Sequence, residues 1–207
     1  VALLRALAQS PERPDPVQTA RALDAITGER SHELVPGVRV CMLRTPTLPP
    51  ATHTNCYLLG GAELVLVDPA SPDADEQAAL DGVLAEQFAR GRQLSEIWLT
   101  HHHVDHVGGA QRVADRFGAP VAAHALTADK LAGTVRVTRT IRDGDELVVA
   151  GDAHAPTRRF RALYTPGHAP GHLCFFDPDQ RLLIAGDMVA GVGTILIEPD
   201  DGDMRLY

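Results

Sequence analysis

The sequence predicts a mixed α+β fold in which sheets pack against outer helices. Two observations carry this expectation. Short strands joined by tight turns occupy the chain from Gly37 onward, and a strand–loop–helix–strand unit interrupts them over residues 97–123.

Taken in order, residues 1–8 and 17–26 read as short helices split by Pro11, Pro14 and Pro16, and residues 1–33 read as an N-terminal arm or the remnant of a preceding segment. Residues 34–207 form the main domain. Its first strands are expected at 38–43, 56–59 and 64–67, with the Gly60-Gly61 pair turning the last two into a hairpin. A helix is expected over 73–90, where Ala74, Ala78, Leu80, Val83, Leu84 and Phe88 follow the helical repeat and Asp73, Asp75 and Glu76 lie at the positive end of its dipole. A strand at 97–100 runs straight into a group of histidines. A helix over 107–117 ends at Gly118, and a strand follows at 121–123. Later strands are expected at 146–149, 159–164, 172–176 and 182–185, the last two joined by a Pro178-Asp179 turn, and residues 203–207 read as the start of a helix.

Composition excludes several classes. The 207 residues carry 19 Lys+Arg against 27 Asp+Glu, a net charge of −8, with 44% hydrophobic residues, an ordinary globular balance. No apolar run approaches the roughly 20 residues that span a bilayer, so no membrane role is expected. Three widely spaced cysteines, Cys41, Cys56 and Cys174, form no CxxC and fit reduced thiols in a cytoplasmic protein. The acidic balance gives no general footprint for nucleic acid.

Histidine is the unusual residue: ten are present, and four lie between His101 and His106. Residues two apart on an extended loop point the same way, so His101 and His103 can converge on one cation, while Asp105 and His106 at the next helix start can face a second. More ligands must come from elsewhere. His168, in the turn Thr165-Pro166-Gly167-His168, completes a three-imidazole set, and Asp187, after Gly186, can bridge both cations as a carboxylate. His102, between two ligands, is expected to point away. His172 reads as a strand-start or supporting residue, Cys174 as core, and His32, His53, His124 and His154 as surface residues. The glycines around Gly191 to Thr194 lack the lysine and spacing of a phosphate-binding loop.

These motifs, in this order, resemble the metallo-β-lactamase superfamily. His101-His102-His103-Val104-Asp105-His106 stands as its HxHxDH signature, followed by Thr165 to His168 and Gly186-Asp187. The resemblance extends from about Leu34 to the end and includes Asp68, where the family usually has an acidic residue supporting the metal loop. Asn55-Cys56-Tyr57-Leu58-Leu59 and Gly186-Asp187-Met188-Val189 are most similar to glyoxalase II-like and β-lactamase-like protein 2 hydrolases. The resemblance implies an αββα sandwich with a dinuclear zinc site at one edge of the two sheets. It also implies a hydrolase in which two cations generate a hydroxide at neutral pH, Asp105 orienting it and returning a proton to the leaving group. The substrate would be an ester, a thioester or a phosphodiester, hence a small molecule or single-stranded RNA. The net charge weighs mildly against the polyanion.

Two alternatives stand beside this reading. Similar ligands in some superfamily members hold iron for persulfide oxidation or oxygen reduction. A non-catalytic protein with a degenerate site is the other. It gains weight because the superfamily usually supplies a further histidine beyond the bridging Asp, whereas the last histidine here is His172. Asp200, Asp201 and Asp203 are not assigned as substitutes. The sequence therefore reads as truncated before the closing strands and helices, with a tight first cation site and a weak second one.

Overall fold

The computed structural model describes residues 30–191 and 193–207. The helices expected over 1–8 and 17–26 lie outside them. The larger of two sheets has seven strands in sequential order: β1 (Ser31–Val35), β2 (Val38–Arg44), β3 (His53–Gly60), β4 (Glu63–Val67), β5 (Gln93–Trp98), β6 (Val121–Ala123) and β7 (Arg139–Thr140). Strands β1 to β4 pair antiparallel, and β4 to β7 pair parallel.

Parallel neighbours need crossovers. They are made by α1 (Ala74–Phe88), by α2 (Val104–Val107) with α3 (Ala110–Phe117), and by α4 (Ala125–Lys130). The smaller sheet is an antiparallel run of β8 (Glu146–Val149), β9 (Arg158–Tyr164), β10 (Leu173–Asp177) and β11 (Leu182–Ile184).

The central strand β4 explains the layering. Side chains alternate across a strand, so Leu64 and Leu66 enter a core with Leu80, Leu84 and Val113 of the helices. Val65 and Val67 enter a second core with Trp98, Phe160 and Phe175, between the two sheets. The described residues thus build helix, sheet and sheet layers of the expected sandwich. No described helix is long and apolar enough to cross a membrane.

Most expected elements are present, including the Gly60-Gly61 hairpin, in which Gly60 pairs with Leu64. Four differences have local causes. The strand at 97–100 instead spans Gln93–Trp98, because the Thr100 N–H is taken by the Asp68 carboxylate at 2.8 Å. The helix over 107–117 is broken into α2 and α3, since Gly108 and Gly109 donate their N–H groups to Ala70 and Pro69 carbonyls. A Cβ on Gly109 would lie 2.6 Å from the Pro69 oxygen, so this approach requires glycine. Residues 203–207 fold as hydrogen-bonded turns onto the Asp203 carbonyl and not as a helix. Finally, β1, β7 and α4 carry too little periodicity to be read, and β1 crosses the position between residues 33 and 34 while pairing with β2.

Candidate metal centre

Four loops at the C-terminal ends of strands meet at one edge of the sandwich. Asp68 follows β4, Thr100 to His103 follow β5, Thr165 to His168 follow β9, and Gly186-Asp187 follow β11. Strand ends are where an α/β sheet leaves its loops free to converge. A 2.8 Å bond from Leu173 N to the Thr100 carbonyl ties the loops of the two sheets together.

Asp68 is the anchor. It is buried and holds a φ of 49°, a left-handed conformation uncommon for a residue with a side chain. Its Oδ1 accepts the Thr100 N–H, and its Oδ2 accepts both the Thr100 hydroxyl at 2.6 Å and His106 Nδ1–H at 2.9 Å. This is the supporting role expected of Asp68.

The hydrogen bonds fix which nitrogen of each imidazole carries the proton. The Thr100 hydroxyl gives its hydrogen to Asp68, so His101 Nδ1, 3.0 Å from that oxygen, must donate. His101 Nε2 is then bare, and it is buried with no hydrogen-bond partner. His168 Nδ1 lies 2.8 Å from the Leu196 carbonyl, which can only accept, leaving Nε2 bare. His103 Nε2 lies 3.0 Å from the Asp201 carboxylate, leaving Nδ1 bare. The inward nitrogens, His103 Nδ1 and His168 Nε2, face each other at 2.8 Å. Burial, followed by the neighbouring His106, depresses His101 well below the ordinary imidazole range, and burial likewise lowers His168. His101 Nε2, His103 Nδ1 and His168 Nε2 therefore converge as three candidate donors to one cation.

A second group joins His101, His106 and Asp187. Asp187 Oδ1 lies 3.1 Å from His106 Nε2, and Oδ2 lies 3.4 Å from His168 Nε2, so this carboxylate reaches toward both groups as a bridging ligand would. Burial opposes charge on His106, but hydrogen bonds to Asp187 and Asp68 outweigh it and raise its pKa to about 10. Burial likewise opposes charge on Asp187, and the His106 contact pulls it down to about 2. His172 supports this carboxylate from behind: its Nε2 accepts the Asp187 backbone N–H at 3.1 Å while Nδ1 donates to Thr165 Oγ1. Burial lowers His172 to about 3, which keeps it the neutral acceptor this requires.

Of the six expected ligands, the structure brings together His101, His103, His106, His168 and Asp187. Asp105 is half-buried on α2 and enters none of the three donor groups found among the described residues. The third group is His102, His103 and Asp201. His102 turns from His101 as expected, but its Nε2 reaches Asp201 at 3.1 Å. The sequence assigns Asp201 no ligand role, and no local signal marks it within the acidic run Asp200 to Asp203. Of the histidines expected on the surface, His53 and His154 are exposed. His32 and His124 are half-buried, the latter stacked on Tyr164 with ring centroids 4.6 Å apart.

The chain belongs to the metallo-β-lactamase superfamily: residues 49–207 match the sequence model of that family. Among its relatives, it is 34% identical over 149 residues to the Beta-lactamase-like protein 2 homolog of Caenorhabditis elegans, across 70% of this chain and 47% of that protein. It is 32% identical over 127 residues to a hydroxyacylglutathione hydrolase of Maricaulis maris, across 59% of this chain and 46% of that protein. The chain thus spans about half the length of these curated relatives. A crystal structure of a metallo-β-lactamase family protein from Thermus thermophilus superposes with a TM-score of 0.65 at 29% identity, covering 80% of this chain and 64% of that one. These relatives agree with the branch that the sequence resembles.

Proposed function

We propose that this chain carries the metal centre of a hydrolase acting on an ester or thioester of a small molecule, with zinc as the cation. The supporting observation is the convergence of His101 Nε2, His103 Nδ1 and His168 Nε2, each bare because its other nitrogen is engaged. A three-imidazole set beside a carboxylate suits a borderline divalent cation. Bound there, the cation would supply Lewis acidity and a hydroxide nucleophile near neutral pH.

The chain's own residues then have distinct roles. Asp68 and Thr100 fix the rings of His106 and His101, and His172 fixes the backbone of Asp187. Asp187 stands ready to join both donor groups. Asp105, at the start of α2, is the candidate for moving a proton between nucleophile and leaving group. The hydroxyacylglutathione hydrolase relative acts on an acylated thiol, which favours a thioester over RNA, as does the net charge of −8.

The test is metal analysis of protein purified without added metal, followed by turnover of a hydroxyacylglutathione and of single-stranded RNA. Bound zinc with thioester cleavage that His101→Ala abolishes is the expected result. Stoichiometric iron with oxygen consumption and no hydrolysis would overturn the proposal, and cleavage of RNA alone would overturn its substrate class.

A further inference from the structure

The segment from Leu196 to Tyr207 is drawn across the metal loops. The Leu196 carbonyl holds His168, and Asp203 N donates to the Gly167 carbonyl at 2.7 Å. Gly202 packs so closely that a Cβ would lie 2.6 Å from the Gly167 oxygen and 3.0 Å from the His168 oxygen. Asp201 N and Gly202 N both turn back onto the Glu198 carbonyl, at 3.1 and 2.6 Å. This tight loop presents the Asp201 carboxylate to the outer face of His103.

The Asp201 carboxylate is 12% exposed and uses both oxygens. Its Oδ2 accepts from His103 Nε2 at 3.0 Å and His102 Nε2 at 3.1 Å, and its Oδ1 accepts from Lys130 Nζ at 2.6 Å. The ammonium of Lys130 already neutralises the group, so these contacts form a hydrogen-bonded anchor and not a further cation site. The other imidazoles have comparable partners: His106 has Asp68, His101 has Thr100 and His168 has the Leu196 carbonyl. Without Asp201, His103 would have no acceptor for Nε2–H, and its proton could move to Nδ1, the atom facing His168.

We infer that Asp201, steadied by Lys130, is a positioning residue that holds His103 in its Nε2-protonated form with Nδ1 turned inward. Its effect on metal affinity rests on the metal-centre reading, whereas its effect on the tautomer does not. Outer partners of this kind typically change metal affinity by about 10–100-fold.

The experiment is long-range nitrogen–proton NMR of the imidazoles in metal-free protein, paired with zinc competition against a chromogenic chelator. Wild type should show His103 protonated at Nε2. Asp201→Ala should mix the tautomers and weaken zinc about 10–100-fold, and Asp201→Asn, which keeps an acceptor oxygen, should recover much of both. Lys130→Met leaves the carboxylate in place and should shift both readings less, in the same direction; it serves if Asp201→Ala does not fold. An unchanged tautomer in Asp201→Ala, or in Lys130→Met should that be the folded variant, would overturn the inference. A shifted tautomer in a protein that binds no zinc even as wild type would uphold this inference while defeating the metal-centre reading.

Discussion

Asp68 and His106 are joined by a 2.9 Å hydrogen bond across 38 residues of sequence. The same carboxylate oxygen also receives the Thr100 hydroxyl. An amide in its place cannot serve both donors and the Thr100 N–H together. Asp68→Asn is expected to weaken zinc binding about 10–100-fold, read by chelator competition. An affinity equal to wild type would show that His106 is oriented by something other than Asp68.

Asp105 stands apart from the three-imidazole group. Asp105→Asn should therefore keep the first zinc while losing turnover by about 10²–10⁴-fold, the usual contribution of a positioned proton carrier. Metal stoichiometry and kcat measured on the same preparation separate the two effects. Loss of the first zinc in this variant would contradict the placement of Asp105.

Gly186 has a φ of 49°, and a Cβ there would lie 2.5 Å from His172 Nε2, the atom that accepts the Asp187 N–H. Gly186→Ala is expected to cost about 1–3 kcal/mol in denaturant unfolding and to weaken zinc binding as Asp187 shifts. Gly191, with nothing within 4 Å of its would-be Cβ, is the control: Gly191→Ala should leave zinc affinity unchanged.

Glu76 is buried at the start of α1 and receives the Arg44 N–H at 3.1 Å and the guanidinium groups of Arg44 and Arg30, each at 3.0 Å. Burial alone would raise its pKa, but these donors outweigh burial and hold it below the ordinary 4.5. The ionised group therefore contributes stability that is present above 4.5 and is lost as pH falls through the lower, folded-state value. Glu76→Gln should cost about 1–3 kcal/mol at neutral pH. Its deficit relative to wild type should shrink on acidification, as urea unfolding across the acid range would show. A deficit that grows in acid would contradict this sign.

Much of the centre was legible because its motifs sit directly at strand ends. His101 and His103 follow β5, His168 follows β9 and Asp187 follows β11, so a strand read from local pattern also placed the candidate ligands at its end. What escaped depended on contacts between distant segments. Asp201 meets His103 across 98 residues, and nothing in Asp200-Asp201-Gly202-Asp203 distinguishes the one carboxylate that points inward. The break between α2 and α3 is set by the carbonyls of Pro69 and Ala70, which no helical repeat around Val107 reports. Asp105 lies next to His106 in sequence, yet the short turn of α2 sets the His106 ring against His101, with ring centroids 4.2 Å apart, while Asp105 enters none of the donor groups found among the described residues.

Cys41 and Cys56 oppose each other across β2 and β3 in the larger sheet, whereas Cys174 lies on β10 in the smaller one, 3.3 Å from both Thr165 Oγ1 and the Ala185 carbonyl. All three are free and buried, and burial raises the Cys41 thiol to about 12 and those of Cys56 and Cys174 above their ordinary value. A thiol that must be both exposed and deprotonated to react is silent in the folded chain. An alkylating reagent would accordingly act as a clock with two hands, one in each sheet. Matching rates at Cys41 and Cys174 mean that the sandwich opens as one unit; a faster Cys174 means that the sheet carrying the Thr165 and Asp187 loops breathes on its own.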